Sequence, residues 1–244
     1  MNRIRSKHIV ITGGTSGIGR ELIKQLYNQN TITVLARSSR RIEKLKNDFP
    51  DLQIHQVDLA SLDEVRETAD KLLKQGRPVD LLVNNAAVQY EPHFLDDDFC
   101  SESIEREIDI NLTAPTILTY TLLPVLLHSQ GPIVVNINSG LGLVAKTSSA
   151  VYCATKGGLN LLSQSLRNQF IGTPLRVDQI FLPLVDTKMT AGRGQGKLTV
   201  EEAANGIISG IEGKGGDIYL GKAKLLNLIN RISPKLARKI MRRG

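Results

Sequence analysis

His8-Ile9-Val10-Ile11-Thr12-Gly13-Gly14-Thr15-Ser16-Gly17-Ile18-Gly19 decides the fold. The run from His8 to Thr12 reads as a buried strand, the glycines as a tight turn, and Leu22, Ile23 and Leu26, three and four residues apart, as one face of a helix. A strand, a glycine-rich turn and a helix in that order make a phosphate site. Glycines let the backbone approach a pyrophosphate, and the helix start offers free N–H groups at the positive end of its dipole. The spacing here is G-x-x-x-G-x-G, not G-x-G-x-x-G.

Outward from this unit, strand and helix patterns alternate. Apolar runs at 31–35, 52–57, 79–83, 133–138, 175–181 and 217–220 read as strands; 61–75, 101–127, 151–170 and 200–211 read as helices. Ser61 and Glu64 fit a capping box, and Pro115 predicts a kink in the helix that contains Asn111. Such alternation predicts an α/β chain, a doubly wound parallel sheet of about seven strands covered by helices on both faces. No repeat or linker divides it, so residues 1–221 form one expected domain and residues 222–244 a basic C-terminal extension.

Composition narrows the function. The chain of 244 residues carries net charge +7, yet eight basic and no acidic residues lie from Lys222 to Gly244, which leaves the rest near −1. With no Trp and 4% aromatics, base stacking and hence nucleic acid are not expected partners. Cys100 and Cys153 offer neither a disulfide framework nor a CxxC site. The basic start, Met1 to Lys7, leads into a strand and not an h-region, and the longest apolar stretch, residues 117–127, is short of the ~20 residues that span a bilayer. A cytoplasmic location is the expectation. Asp96, Asp97, Asp98, Glu102 and Glu105 read as a solvated helix start, and no metal site is expected.

Two stretches carry chemistry. Tyr152 and Lys156, four apart on a helix, share one face, and the ammonium is expected to lower the phenol from its reference pKa of about 10 toward neutrality. Cys153, about 100° round the helix, is expected in the core. At the end of the second strand, where dinucleotide sites meet the adenosine ribose, no acid occurs before Glu43 and Arg37 stands ready for a 2′-phosphate. That favours NADP(H) over NAD.

Thr12 to Gly19, Asp58, Asn84-Asn85-Ala86-Ala87, Asn111, and Ser139 with Tyr152 and Lys156 occur in one order, and together they resemble the single-domain branch of the short-chain dehydrogenase/reductase family, a Rossmann-like fold, over almost the whole chain. Tyr152-Cys153-Ala154-Thr155-Lys156 with Val185-Asp186-Thr187-x-Met189 is similar to bacterial DltE-like members. The resemblance implies a catalytic tetrad of Asn111, Ser139, Tyr152 and Lys156. Ser139 would donate to a carbonyl oxygen, Tyr152 would protonate it, Lys156 would tune Tyr152 and hold ribose hydroxyls, and Asn111 would anchor a proton-relaying water at a helix irregularity. It implies cofactor contacts from Gly13, Thr15, Ser16, Gly17, Ile18, Gly19, Arg37, Ser38, Asp58, Leu59, Asn85, Ala86, Tyr152, Lys156, Val185 and Thr187, with Asp58 at the adenine. One departure is clear: Leu182-Pro183 stands where the family has Pro-Gly, and proline cannot take the glycine conformation.

The expected activity is NADP(H)-dependent interconversion of a lipophilic carbonyl and a secondary alcohol, with specificity set by the loops at 88–94, 141–145 and 183–197. Gly192-Arg193-Gly194-Gln195-Gly196 would act as a lid, with Arg193 and Lys197 solvated or facing an anionic group. The resemblance also implies a homo-oligomer, a dimer or tetramer. The alternative is a non-catalytic NADP-binding scaffold or sensor that works through its tail. In that tail Leu225, Leu228, Ile229, Ile232, Leu236 and Ile240 recur at helical steps between the cations; a membrane surface, another subunit and its own domain are all open to it.

Overall fold

The computed structural model describes residues 4–242; Met1 to Arg3 of the basic start, and Arg243 and Gly244 of the tail, lie outside the described residues. Seven strands, β1 (His8–Thr12), β2 (Thr31–Ala36), β3 (Gln53–Gln56), β4 (Leu81–Asn84), β5 (Ile133–Ser139), β6 (Arg176–Leu182) and β7 (Asp217–Tyr219), form one sheet in the order β3-β2-β1-β4-β5-β6-β7. Every pairing is parallel. The expected strands are all present, with ends shifted by a residue or two.

Buried on both faces, the central strands are apolar at successive positions. On one face Ile9, Ile11, Val83, Val135 and Ile180 pack under α1 (Gly17–Leu26), α2 (Ser39–Asp48) and α7 (Val200–Glu212). On the other, Val10, Leu82, Val134 and Val177 pack under α3 (Leu62–Lys74) and α5 (Ala114–Leu127). The strand order reverses between β1 and β4, and a crevice opens beyond the strand ends at such a point. Thr12 and Asn85 tie the two strands there: Asn85 N and Ala86 N each donate to Thr12 Oγ1 at 3.0 Å, and Asn85 Nδ2 donates to Thr12 O at 2.9 Å.

Two local expectations are corrected. The 101–127 helix is not one kinked α-helix but α4 (Ser101–Ile108), a π turn over Asp109–Thr113, and α5. The break thus precedes Pro115, which has no N–H for the carbonyl of Asn111 four residues back. The whole helical run of 27 residues is long and apolar enough to cross a bilayer, more than residues 117–127 alone indicate, but half of its apolar window is buried against the sheet. The capping box at α3 is half made: Ser61 accepts from Glu64 N, while the Glu64 carboxylate turns back to Asp58 N at 2.9 Å.

The remaining long helix, α6 (Ala150–Gln169), rests on the sheet through amides. Asn84 Nδ2 donates to Asn136 Oδ1 and Asn136 Nδ2 to Ser163 Oγ, both at 2.8 Å; Asn138 Nδ2 donates to Gln179 Oε1 at 2.9 Å and to Lys156 O at 3.2 Å. All these side chains except that of Lys156, whose main chain takes part, would be costly to leave unpaired in the interior. Asn136→Ala leaves Asn84 Nδ2 only the long contact to Thr119 Oγ1 at 3.5 Å and leaves Ser163 Oγ only its bond to Leu159 O at 2.7 Å, and urea unfolding should show a loss of about 1–2 kcal/mol; an unchanged midpoint would mean that the ladder adds nothing to stability.

Candidate active site

Beyond the carboxyl ends of β1, β4, β5 and β6 lies a cavity of about 1130 Å³. Of the residues expected to act, all but Gly19 and Asn111 line it. Its floor is the glycine turn. Gly13 has φ +74°, and a Cβ there would come 2.9 Å from Ala86 Cα; a Cβ on Gly19 would come 2.5 Å from Gly13 O. Gly19 therefore acts by close packing of α1 on the turn, not by facing the cavity. Opposite, Thr187 lies against Gly17, whose absent Cβ would be 3.3 Å from Thr187 Cγ2. This is a cradle that side chains would fill, and it fits a dinucleotide.

At one end of the cavity stand Arg37, Ser38 and Arg41. The Asp58 carboxylate there is a charge hub: Arg106 donates to both oxygens at 3.1 and 3.2 Å, and Arg37 lies 3.5 Å away. Burial pushes this carboxyl up, but the Ala60 N–H, Arg106 and Arg37 together hold it below its ordinary value. Arg37 itself is mostly exposed, 62% of its side chain, and free to turn to an anion.

At the other end stand Ser139, Tyr152 and Lys156. Asn138, a residue that sequence reasoning passed over, aligns them: its Oδ1 accepts from Ser139 N at 2.8 Å while its Nδ2 holds Lys156 O. Gly142 makes room, since a Cβ there would meet Asn138 Oδ1 at 2.6 Å. Lys156 is buried, donates through Nζ to Ile137 O at 2.8 Å, and sits 5.7 Å from the Tyr152 ring centre.

The electrostatics correct the expectation for Tyr152. Burial pushes the phenol above its ordinary pKa, and the Ser139 hydroxyl offsets only part of that; no lowering toward neutrality results. Burial brings Lys156 down to about 8, with Glu107 opposing. Glu107, also missed from sequence, is 2% exposed and accepts from Tyr90 N at 3.1 Å; burial pushes it up to about 7, against the Tyr90 N–H and Lys156. Cys153 is buried as expected, and burial raises its thiol pKa.

Asn111 lies in the π turn, but its side chain is clamped on the chain itself. Oδ1 accepts from Val88 N and Nδ2 donates to Val88 O, each at 2.9 Å, with Thr155 Oγ1 at 3.2 Å. Between it and Lys156 is a small cavity of about 10 Å³ that Asn84 also lines; Asn84 Oδ1 is buried with no hydrogen-bond partner among the described residues.

The two cations of the lid segment are latched, while Gly192, Gly194, Gln195 and Gly196 are exposed. Arg193 reaches Gln89 Oε1 at 2.8 Å and Glu91 Oε2 at 3.1 Å; Lys146 takes the other Glu91 oxygen at 3.2 Å, and Lys222 holds Gln195 O at 3.0 Å. Lys197 binds Thr190 O at 2.6 Å. Leu182-Pro183 leaves β6 into a bridge between Val185 and Leu198, so Val185 and Thr187 still reach the cavity. The expected extension is α8 (Lys222–Ile232) and α9 (Pro234–Met241), which wall the cavity with Leu226, Ile229 and Met241.

A family model described as short chain dehydrogenase matches residues 7–198. Among curated relatives, an uncharacterized oxidoreductase DltE from Bacillus subtilis (strain 168) is 32% identical over 76% of this chain and 74% of its own length. A 3-ketodihydrosphingosine reductase from Dictyostelium discoideum is 26% identical over 96% of this chain and 80% of its own. Among solved structures, a short chain dehydrogenase from Burkholderia cenocepacia J2315 in complex with NADP superposes with a TM-score of 0.86 at 21% identity, covering 98% of each chain.

Glu107 gives the site a pH signature. Its folded pKa of about 7 lies above its ordinary 4.5, so its contribution to stability is complete below pH 4.5 and is lost as pH rises through 7. Across that window, denaturant unfolding should show Glu107→Gln gaining on the wild type by on the order of 2–3 kcal/mol. Parallel pH profiles for the two proteins would exclude a raised Glu107.

Proposed function

The chain belongs to the short chain dehydrogenase family, and from that premise we propose that it is an NADP(H)-dependent oxidoreductase that interconverts a lipophilic ketone and its secondary alcohol. One observation carries this reading: Ser139, Tyr152 and Lys156 meet the glycine turn and Arg37 in a single cavity. A protein that only bound a dinucleotide would have no need of a phenol and an ammonium placed together at its far end. The Burkholderia structure, a complex with NADP, and the Dictyostelium relative, named for a keto substrate, support the cofactor and the substrate class.

The glycine turn, Asn85, Ala86, Val185 and Thr187 would hold the dinucleotide, with Arg37, Ser38 and Arg41 at a 2′-phosphate and Asp58 and Leu59 at the adenine end. The bound cofactor supplies the hydride. Ser139 Oγ donates a hydrogen bond to the substrate oxygen and Tyr152 Oη gives it a proton as negative charge develops there. A buried phenol that holds its proton tightly suits this role in the reduction direction, because the alkoxide that forms is a stronger base still. Lys156 spends one N–H on Ile137 O and has two left for Tyr152 and the ribose. With a pKa near 8 it can pass a proton on at neutral pH. The small cavity beside Asn84 Oδ1 and Asn111 has room for one water, a route by which Lys156 regains that proton. Asn111 supports the route through its position and its clamp on Val88 rather than through a free amide.

Absorbance screening of ketones, aldehydes and alcohols with NADPH and NADP tests the activity, and Tyr152→Phe should lower kcat by about 10²–10⁴-fold while NADPH still binds. Wild-type turnover in that variant would sink the mechanism. Arg37→Gln should weaken NADPH by about tenfold to a hundredfold and leave NADH unchanged; equal losses for both would remove Arg37 from the 2′-phosphate.

A further inference from the structure

Five aliphatic side chains of α8 and α9 stand exposed: Leu225, Leu228, Ile232, Leu236 and Ile240. On α8 the spacing of three and four puts Leu225, Leu228 and Ile232 on one face, and on α9 Leu236 and Ile240 are one turn apart. Around them are seven exposed cations, from Lys222 to Arg242, and no acid. The other side of the pair is already seated. Ala223 and Ala237 are buried, Leu226 and Ile229 face the cavity, and Thr147 Oγ1 donates to Arg242 O at 2.8 Å. A helix pair docked only on its own domain would turn its methyl groups inward and its charges out; this one presents both to solvent.

We infer that this face lies on an anionic lipid surface and brings the mouth of the cavity to the bilayer. Apolar side chains between cations are what such a surface takes: the methyl groups enter the acyl boundary, and each cation near the headgroups adds its own attraction. Leu225 and Ile240 belong both to the exposed face and to the cavity wall, so the apolar surface runs from outside to inside without a polar break. A ketone with an alkyl chain would enter from the membrane side; that consequence rests on the function proposed above, whereas the docking does not. A second copy fits poorly, because a two-fold contact sets the same cations against one another. Nucleic acid would answer the charge but not the aliphatic face, and residues 222–244 contain no aromatic ring to stack on a base.

The test is sedimentation of the full chain with vesicles of phosphatidylcholine alone and of phosphatidylcholine mixed equally with phosphatidylglycerol, at low salt. Two triple variants, L228S/I232S/L236S and K224Q/R231Q/K235Q, change exposed positions outside the cavity wall. The wild type should bind the mixed vesicles and not the neutral ones. The serine variant should lose binding, and the glutamine variant should weaken by about fivefold for each cation removed. NADPH binding, followed by fluorescence, should be equal in all three. Equal vesicle binding by all three proteins, or none by the wild type, would overturn the inference. So would a dimer in light scattering that the serine changes dissolve, or RNA binding that they spare. Loss of NADPH binding in the wild type would strike the proposed function and leave the vesicle result readable.

Discussion

Asn138 is the residue on which the geometry of this protein turns. From the fifth strand it holds the backbone of Ser139 with its oxygen and the backbone of Lys156 with its nitrogen, and so fixes a strand end and a helix to one another. The ladder continues sideways through Gln179, and a parallel one runs through Asn84, Asn136 and Ser163. Methyl groups in these positions would bury well but would let the helix slide, since dispersion contacts have little directional preference. Amides accept one register only. The long helix that carries Tyr152 and Lys156 therefore has bonds with direction to the sheet in addition to the apolar contacts of Leu159 and Leu166.

That precision has an electrostatic purpose. Tyr152, Lys156 and Glu107 are all buried, and burial displaces each toward its neutral form, the phenol and carboxyl upward and the amine downward. In water such groups would be screened from one another; in this interior the Glu107 charge acts on both Tyr152 and Lys156, raising each. Glu107 raises the affinity of Lys156 for its proton, and Lys156 opposes the neutralisation of Glu107. A carboxyl, an amine and a phenol within one hydrogen-bonded frame form a store of exchangeable protons next to the cavity.

The parts of this arrangement legible in sequence are those with local periodicity. Alternating strands and helices, the glycine turn and the Tyr152–Lys156 step each show within a short window, and the parallel sheet follows from them. The amide ladder does not show, because Asn84, Asn136 and Asn138 are poor strand formers whose partners are distant in the chain. The latch joins Arg193 to Glu91, residues about a hundred positions apart in the chain, and no window contains both. Asn111 was found by resemblance, but its clamp on Val88 depends on a π turn that propensity does not encode. For Tyr152 the sign differs from the expectation for a physical reason: sequence shows the neighbouring ammonium but not the burial, and burial is the largest effect.

The wall of the cavity has a consequence for how the protein comes into being. The glycine turn, the sheet through β6 and the Tyr152 helix all precede α8 and α9 in the chain, and the family match closes at residue 198. Leu226, Ile229 and Met241 come afterwards. During synthesis the strands and turn that face the cofactor leave the ribosome before the substrate compartment has all its sides, because the walls that α8 and α9 supply are translated later. Until α8 and α9 dock, the nucleotide side of the cavity opens onto bulk water, and the compartment that would exclude water from a substrate is made by the docking itself.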